Sequence, residues 1–252
     1  MTETVIMLPG IILPAGEAYS DLVACLGEEF HVLTKDLEVY AGDEPPPGYG
    51  LGTEIAGVLD VADRRGVDRF HLVGYSAGGA ASFAFTVRHP HRVSTLALLE
   101  PAWLGNAGMG PSERRVSEAL DRAATLPPEQ MLAEFTRLQL APGVESPARP
   151  VGPPPDWMRK RPAAIRAILH AFAESDAELE MLGTSEVPVY YALGGRSNPD
   201  SFGEMATRCR SAVPNARVEV FDERHHFDPP HRVEPDRLAA SLRALWRSVP
   251  NG

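Results

Sequence analysis

Residues 70 to 79 read Phe70-His-Leu-Val-Gly-Tyr-Ser-Ala-Gly-Gly79. The run from Phe70 to Val73 is short, rich in large apolar residues and followed at once by glycine, the pattern of a buried parallel strand that ends in a turn. Gly74-Tyr75-Ser76-Ala77-Gly78 then fits G-x-S-x-G. In that pattern the serine sits on a strained strand-to-helix turn, and the flanking glycines let helix and strand approach without Cβ clashes. Gly78, Gly79, Ala80 and Ala81 open the next helix, expected from Ala77 to His89, and small residues there allow close packing.

Outward from this stretch the chain alternates. Val5-Ile-Met-Leu8, bounded by Pro9-Gly10, reads as a central strand leading into a turn. Residues 17 to 29 carry Leu22, Val23 and Leu26 at helical spacing, and residues 30 to 37 form the next strand. A proline- and glycine-rich surface loop, 40 to 50, precedes a crossover helix from Leu51 to Arg65 with Ile55, Val58, Leu59 and Ala62 on one face. Strand and helix in alternation predict a mostly parallel sheet with helices on both faces, its loops gathered along one edge by the right-handed crossover rule. Further strands are expected at 93 to 100, 187 to 193 and 217 to 221, about six in all. Residues 101 to 185 are too many for a loop. Helical periodicity over 112 to 140 and 157 to 182, separated by the proline-rich stretch 142 to 155, makes this segment a helical insertion. The expected organisation is a core of residues 1–100 and 186–252 interrupted by that insertion.

Hydrophobic residues make up 44% and charged residues 23%, which suits a water-exposed globular domain. A net charge of -10, with no basic stripe to offset it, argues against a nucleic-acid partner. No apolar run approaches membrane-spanning length, and the N-terminus has no positively charged leader pattern, so a cytoplasmic protein is expected. Cys25 and Cys209 lie far apart without metal-ligand spacing; both are expected in the core, as thiols, with no disulfide framework and no zinc site.

The stretch around Ser76 resembles the nucleophile elbow of the α/β-hydrolase fold superfamily. The resemblance implies that the strand before Pro9 leads into the oxyanion loop, and that the helical insertion after the strand ending at Glu100 forms a cap over the active site. The superfamily usually carries His-Gly in that loop, where this chain has Pro9-Gly10-Ile11-Ile12. A backbone amide serves whatever its side chain, so the Ile11 and Ala77 N–H groups are the implied oxyanion donors. Chain order in these hydrolases is serine, acid, histidine. After the last strand comes Asp222-Glu-Arg-His-His-Phe-Asp-Pro-Pro-His231, where the superfamily places its histidine. His226, with an apolar Phe227 after it, matches the pattern better than His225; His231 is expected at the surface or against the cap. His225, His226, Asp228 and His231 could instead bind a metal, but their spacing is not that of known zinc motifs, and no metal is expected.

The acid is the departure. The usual Gly-x-x-Asp turn reads Gly194-Gly-Arg-Ser197, a serine where the carboxylate would stand. Asp200 lies three residues further on, behind the stiff Pro199. Glu100 ends the preceding strand in Leu98-Leu-Glu-Pro-Ala102, the strand end from which certain haloalkane dehalogenases in the superfamily take their acid. A carboxylate closing a run of leucines needs a partner. The implied constellation is Ser76, His226 and Glu100, with Asp200 as the competing acid. It implies cofactor-free hydrolysis of a small, fairly apolar carboxylic ester through an acyl-enzyme, in a monomer or homodimer with a small-molecule substrate and neither a membrane nor a nucleic-acid partner. Lactone, amide, thioester and carbon–carbon bond hydrolysis use the same logic, and a slow-turnover or non-catalytic ligand-binding protein on this fold is the rival from another class. Trp103, Met109, Trp157 and Phe172 fall in the insertion or its base and hint at an apolar substrate, although such residues are more often plain core.

Overall fold

A computed structural model of the chain describes residues 2–147 and 156–249, with the side chains of residues 156 and 157 outside the description. In chain order the principal elements are β1 (Thr4–Leu8), α1 (Ser20–Leu26), β2 (His31–Thr34), α2 (Leu51–Arg64), β3 (Phe70–Tyr75), α3 (Ala77–Arg88) and β4 (Val93–Leu99). Then come α4 (Pro111–Ala124), α5 (Pro128–Arg137), α6 (Asp156–Ala173), α7 (Leu179–Gly183), β5 (Val189–Gly194), α8 (Glu204–Ala212), β6 (Ala216–Phe221) and α9 (Pro235–Trp246).

The six strands form one sheet in the order β2-β1-β3-β4-β5-β6, and every pairing is parallel. Both faces are covered, which is why β1 and β3 read as continuous apolar runs rather than alternating ones. One face packs Ile6, Leu8, Leu72, Leu96 and Leu98 against α3 residues such as Phe83 and Phe85. On the other, Val5, Met7, Val73 and Leu99 meet Leu22 and Leu26 of α1 and Leu238, Leu242 and Trp246 of α9.

Register delivers the strand ends to one level. Leu8 pairs with Gly74, Gly74 with Leu98, and Tyr75 with Leu99. The ladder then runs one residue beyond the strands, Ser76 N–H donating to the Leu99 carbonyl and Glu100 N–H to that of Ala192, each at 3.1 Å. Parallel register thus sets residues 76 and 100 side by side.

The strand boundaries hold to within a few residues, but the helical stretches are more broken than expected: 157–182 is two helices, Asp156–Ala173 and Leu179–Gly183, and 17–29 is a turn of helix Ala15–Ala18 followed by Ser20–Leu26. The periodic stretch 112–140 is two helices, broken at Thr125, Leu126 and Pro127, because proline restricts the residue before it. Cys25 is only partly buried and donates to Asp236, whereas Cys209 is in the core; both are free thiols. Part of the proline-rich stretch 142–155 lies outside the described residues.

Candidate active site

Three loops meet at the C-terminal edge of the sheet. The first is the turn after β3, where Ser76 has φ 54° and ψ -120°. Among the described residues the only other non-glycine with positive φ is Glu100, at 44°. Such conformations cost about 1–3 kcal/mol each and persist only where the surroundings over-determine them. Here they do. A Cβ on Gly74 would stand 2.3 Å from the Gly78 carbonyl oxygen, and one on Gly78 would stand 2.4 Å from the carbonyl oxygens of Leu8 and Pro9. The turn therefore closes to backbone contact against α3 and the loop after β1, which only glycine at both positions allows.

The second loop follows β6 and carries His226. Its imidazole Nε2 lies 3.0 Å from Ser76 Oγ, and its Nδ1 lies 3.3 Å from Glu100 Oε2. Ser76, Glu100 and His226 are all buried, His226 and Glu100 to 2% exposure. The other Glu100 oxygen accepts the Gly194 N–H at 2.8 Å. The end of β5 thus supplies an amide to the carboxylate instead of a carboxylate of its own. Ser197 is buried there, its Oγ without a hydrogen-bond partner among the described residues. Asp200 is exposed, in the turn Pro199–Gly203, where its N–H is taken by Asn198. Adjacent parallel strands β4 and β5 end next to one another, so either could hold a carboxylate near the same imidazole; here β4 does.

His225 turns away. Its Nδ1 accepts the Phe227 N–H at 3.1 Å and lies 3.1 Å from Asp228 within the same loop, while burial pushes its pKa down. The His226 ring is fixed by aromatic neighbours that sequence reasoning missed. Phe202 stacks on it at 4.5 Å between centroids, and the Tyr75 ring lies 5.0 Å away, with the Tyr75 hydroxyl donating to the His226 carbonyl. Tyr75 stands inside the G-x-S-x-G pattern and was findable; nothing in the sequence marks Phe202. His231 is not a surface residue. It is 1% exposed, 5.0 Å from the Tyr19 ring and 4.7 Å from the Tyr75 ring, because the short helix Pro230–Val233 folds back under the site. Burial pushes its pKa down to about 3, so it stays neutral. Among the described residues no group of His, Cys, Asp or Glu is arranged to hold a metal ion.

The third loop runs from Pro9 to Leu13. Its Pro9 carbonyl accepts the Gly78 N–H at 3.0 Å, binding the loop to the start of α3. Ile11 and Ala77 line a cavity with Ser76, and among the described residues neither of their N–H groups donates to another protein group. The cavity measures about 30 Å³ and is otherwise walled mainly by apolar side chains of the inserted helices, among them Val116, Phe135, Ile165 and Phe172. That is room for about one water molecule. Trp103 does not line it but stacks on Phe172 at 5.5 Å, and Met109 packs partly buried against the core; the Trp157 side chain lies outside the described residues.

A family model described as alpha/beta hydrolase fold matches residues 3–230, and the chain belongs to that family. A 2-hydroxy-6-oxo-2,4-heptadienoate hydrolase of Pseudomonas putida is 38% identical over 79 residues, covering 29% of this chain and 28% of that protein. An uncharacterized carboxylesterase, nap, of Bacillus subtilis is 41% identical over 54 residues, 21% of this chain and 18% of its own length. This chain therefore spans less than a third of either curated relative. Among solved structures, a thermophilic esterase from Thermogutta terrifontis superposes with a TM-score of 0.71 at 18% identity, covering 100% of this chain and 92% of that one. At that identity the likeness establishes the fold alone. Among the described residues, no helix is long and apolar enough to cross a membrane.

Proposed function

We propose that the protein is a serine hydrolase that cleaves small, fairly apolar, uncharged carboxylic esters through an acyl-enzyme. The observation that carries this reading is the single imidazole of His226 spanning Ser76 Oγ at 3.0 Å and Glu100 Oε2 at 3.3 Å. A serine hydroxyl is a weak nucleophile until a base takes its proton, and an imidazole is a better base when a carboxylate holds the proton of its other nitrogen. Ser76 Oγ attacks the ester carbonyl carbon while its proton passes to His226 Nε2. The imidazolium that forms is stabilised by Glu100, and the carbonyl electron pair becomes an oxyanion received by the Ile11 and Ala77 N–H groups. Collapse expels the alcohol, which takes the proton from His226. Water then repeats the sequence on the acyl-enzyme and releases the acid.

The inserted helices α4, α5 and α6 act as the cap in this reading. A cavity of about 30 Å³ admits no ester in its closed form, so substrate enters when the cap shifts. The cavity wall contains no charged side chain among the described residues. A dienoate, as in the name of the Pseudomonas relative, is an anion and would find no cation there, which favours an uncharged ester over such an acid substrate. In this reading the protein works in the cytoplasm, and Cys25 and Cys209 are free thiols with no disulfide between them.

The test is hydrolysis of p-nitrophenyl butyrate together with labelling by a fluorophosphonate. Ser76→Ala is expected to abolish labelling and to lower kcat at least ~10³-fold. Full turnover in Ser76→Ala would overturn the reading, and thermal stabilisation by an ester or acid with no turnover in the parent protein would favour a binding protein.

A further inference from the structure

The loop that carries Ile11 is held by groups outside the triad. Tyr40 donates its hydroxyl to the Ile11 carbonyl at 3.0 Å, and Arg161 donates from α6 to the Ile12 carbonyl. Two consecutive peptide planes of the oxyanion loop are therefore tethered, one from the core and one from the inserted helix. Each tether is itself braced. Glu54 of α2, 1% exposed, accepts the N–H groups of Glu38 and Val39 at 3.0 and 3.1 Å and the Tyr49 hydroxyl at 2.9 Å, which fixes the turn presenting Tyr40. Lys160, next to Arg161, donates to the Gly42 carbonyl at 2.8 Å and meets Asp43 at 3.1 Å. Helix α6 thus grips both the oxyanion loop and the segment that supports it. Arg161 is 8% exposed, and burial lowers its pKa, so this cation is drawn out of water to reach a backbone carbonyl.

We infer that Tyr40 and Arg161 are positioning residues that set the direction of the Ile11 N–H, so that the oxyanion hole is complete only while α6 is docked. The Ile11 N–H lies in the Gly10–Ile11 peptide plane, between the plane of the Pro9 carbonyl, held by the Gly78 N–H, and the plane of the Ile11 carbonyl, held by Tyr40. With both neighbours fixed its rotation is restricted, and an oxyanion donor is effective only when pre-aimed. Docking of α6 also closes the apolar wall, since Ile165 and Phe172 of the same helix line the cavity. Enclosure of substrate and completion of the hole become one event, and an open site leaves a reactive serine without its electrophilic partner. The inference rests on the hydrolase reading above.

The experiment compares parent, Tyr40→Phe, Arg161→Met and Arg161→Lys in ester kinetics and in binding of two inhibitors. One is a short alkyl trifluoromethyl ketone. Ser76 Oγ bonds to its carbonyl carbon, the proton passes to His226, and the resulting O⁻ occupies the oxyanion position. The other is the product carboxylic acid, which makes no tetrahedral adduct. Tyr40→Phe and Arg161→Met are expected to lower kcat roughly tenfold each with KM within about twofold, and to weaken the ketone by the same factor while leaving the acid unchanged. Arg161→Lys, which keeps a charged donor, is expected to recover part of the loss. The inference is overturned if Tyr40→Phe, the change least able to disturb folding, keeps parental kcat, or if ketone and acid weaken alike. If the parent itself neither turns over ester nor takes a fluorophosphonate, the hydrolase reading fails instead.

Discussion

Glu100 is paired twice, once with the His226 imidazole and once with the Gly194 amide, and its backbone is held at positive φ to do so. In the proposed mechanism a side chain so placed orients the imidazole and stabilises its charged form, so neutralising it would leave the geometry and remove the electrostatics. Glu100→Gln is expected to lower kcat by about 10²–10⁴-fold with intact thermal stability, whereas Asp200→Asn is expected to leave kcat within about twofold. Steady-state kinetics on the two purified variants distinguishes them, and the reverse ranking would transfer the acid to Asp200. The serine was legible from its local pattern, and the histidine from the chain order of the superfamily that this pattern resembles. Which carboxylate meets the imidazole was not, since Glu100 and His226 are 126 positions apart and only strand order makes them neighbours.

Among the contacts that fasten the inserted helices to the core is a buried ion pair. Arg208 on α8 meets Glu113 on α4 at 2.8 Å and also donates to the Ala107 carbonyl at 2.8 Å. Glu113 is 4% exposed, and burial raises its pKa against the lowering effect of Arg208. Desolvation consumes most of what the pair gains, so its role is to fix α4 in place rather than to add net stability. Removing one partner strands the other. Glu113→Ala is expected to cost about 3 kcal/mol in urea unfolding, and Glu113→Gln, which keeps an acceptor, clearly less. Equal costs would show that the charge is immaterial. The helical character of this region was readable from periodicity, but its packing was not. Val116 and Phe135 belong to separate helices that converge on Ser76, and no spacing in the sequence distinguishes an apolar residue facing a cavity from one facing a core.

Acid sensitivity belongs to the fold in its entirety, since two imidazoles lie buried on the same face of the sheet, His71 against Trp246 and His231 against Tyr19 and Tyr75. His231 under the active site and His71 within β3 are held to about 3 and about 4, in both cases chiefly by burial. Both are neutral when folded and bind protons near pH 6.5 when unfolded. Between those values the unfolded chain carries more protons, so stability rises with pH and falls on acidification below about 6.5. From pH 6.5 to 4.5 the His231 contribution alone amounts to roughly 2–3 kcal/mol. His231→Phe is expected to flatten the curve of urea-unfolding free energy over that interval by a similar amount, and an unchanged slope would mean that His231 does not report on folding.

Alternation of strand and helix, both-sided apolar runs and a glycine-flanked serine are local properties, written in consecutive residues. They therefore determined the parallel sheet and the turn at Ser76, and the resemblance that turn carries pointed to the loop that holds His226. Contacts between distant segments obey no local rule. Tertiary structure alone decided that Glu100 rather than Asp200 faces the imidazole, that Phe202 and Tyr75 clamp its ring, that His231 is buried, and that Tyr40 and Arg161 hold the carbonyls beside Ile11. The reason is geometric: parallel register and helix docking choose which far-apart residues share a few ångströms, and those separations govern hydrogen bonding, desolvation and proton transfer.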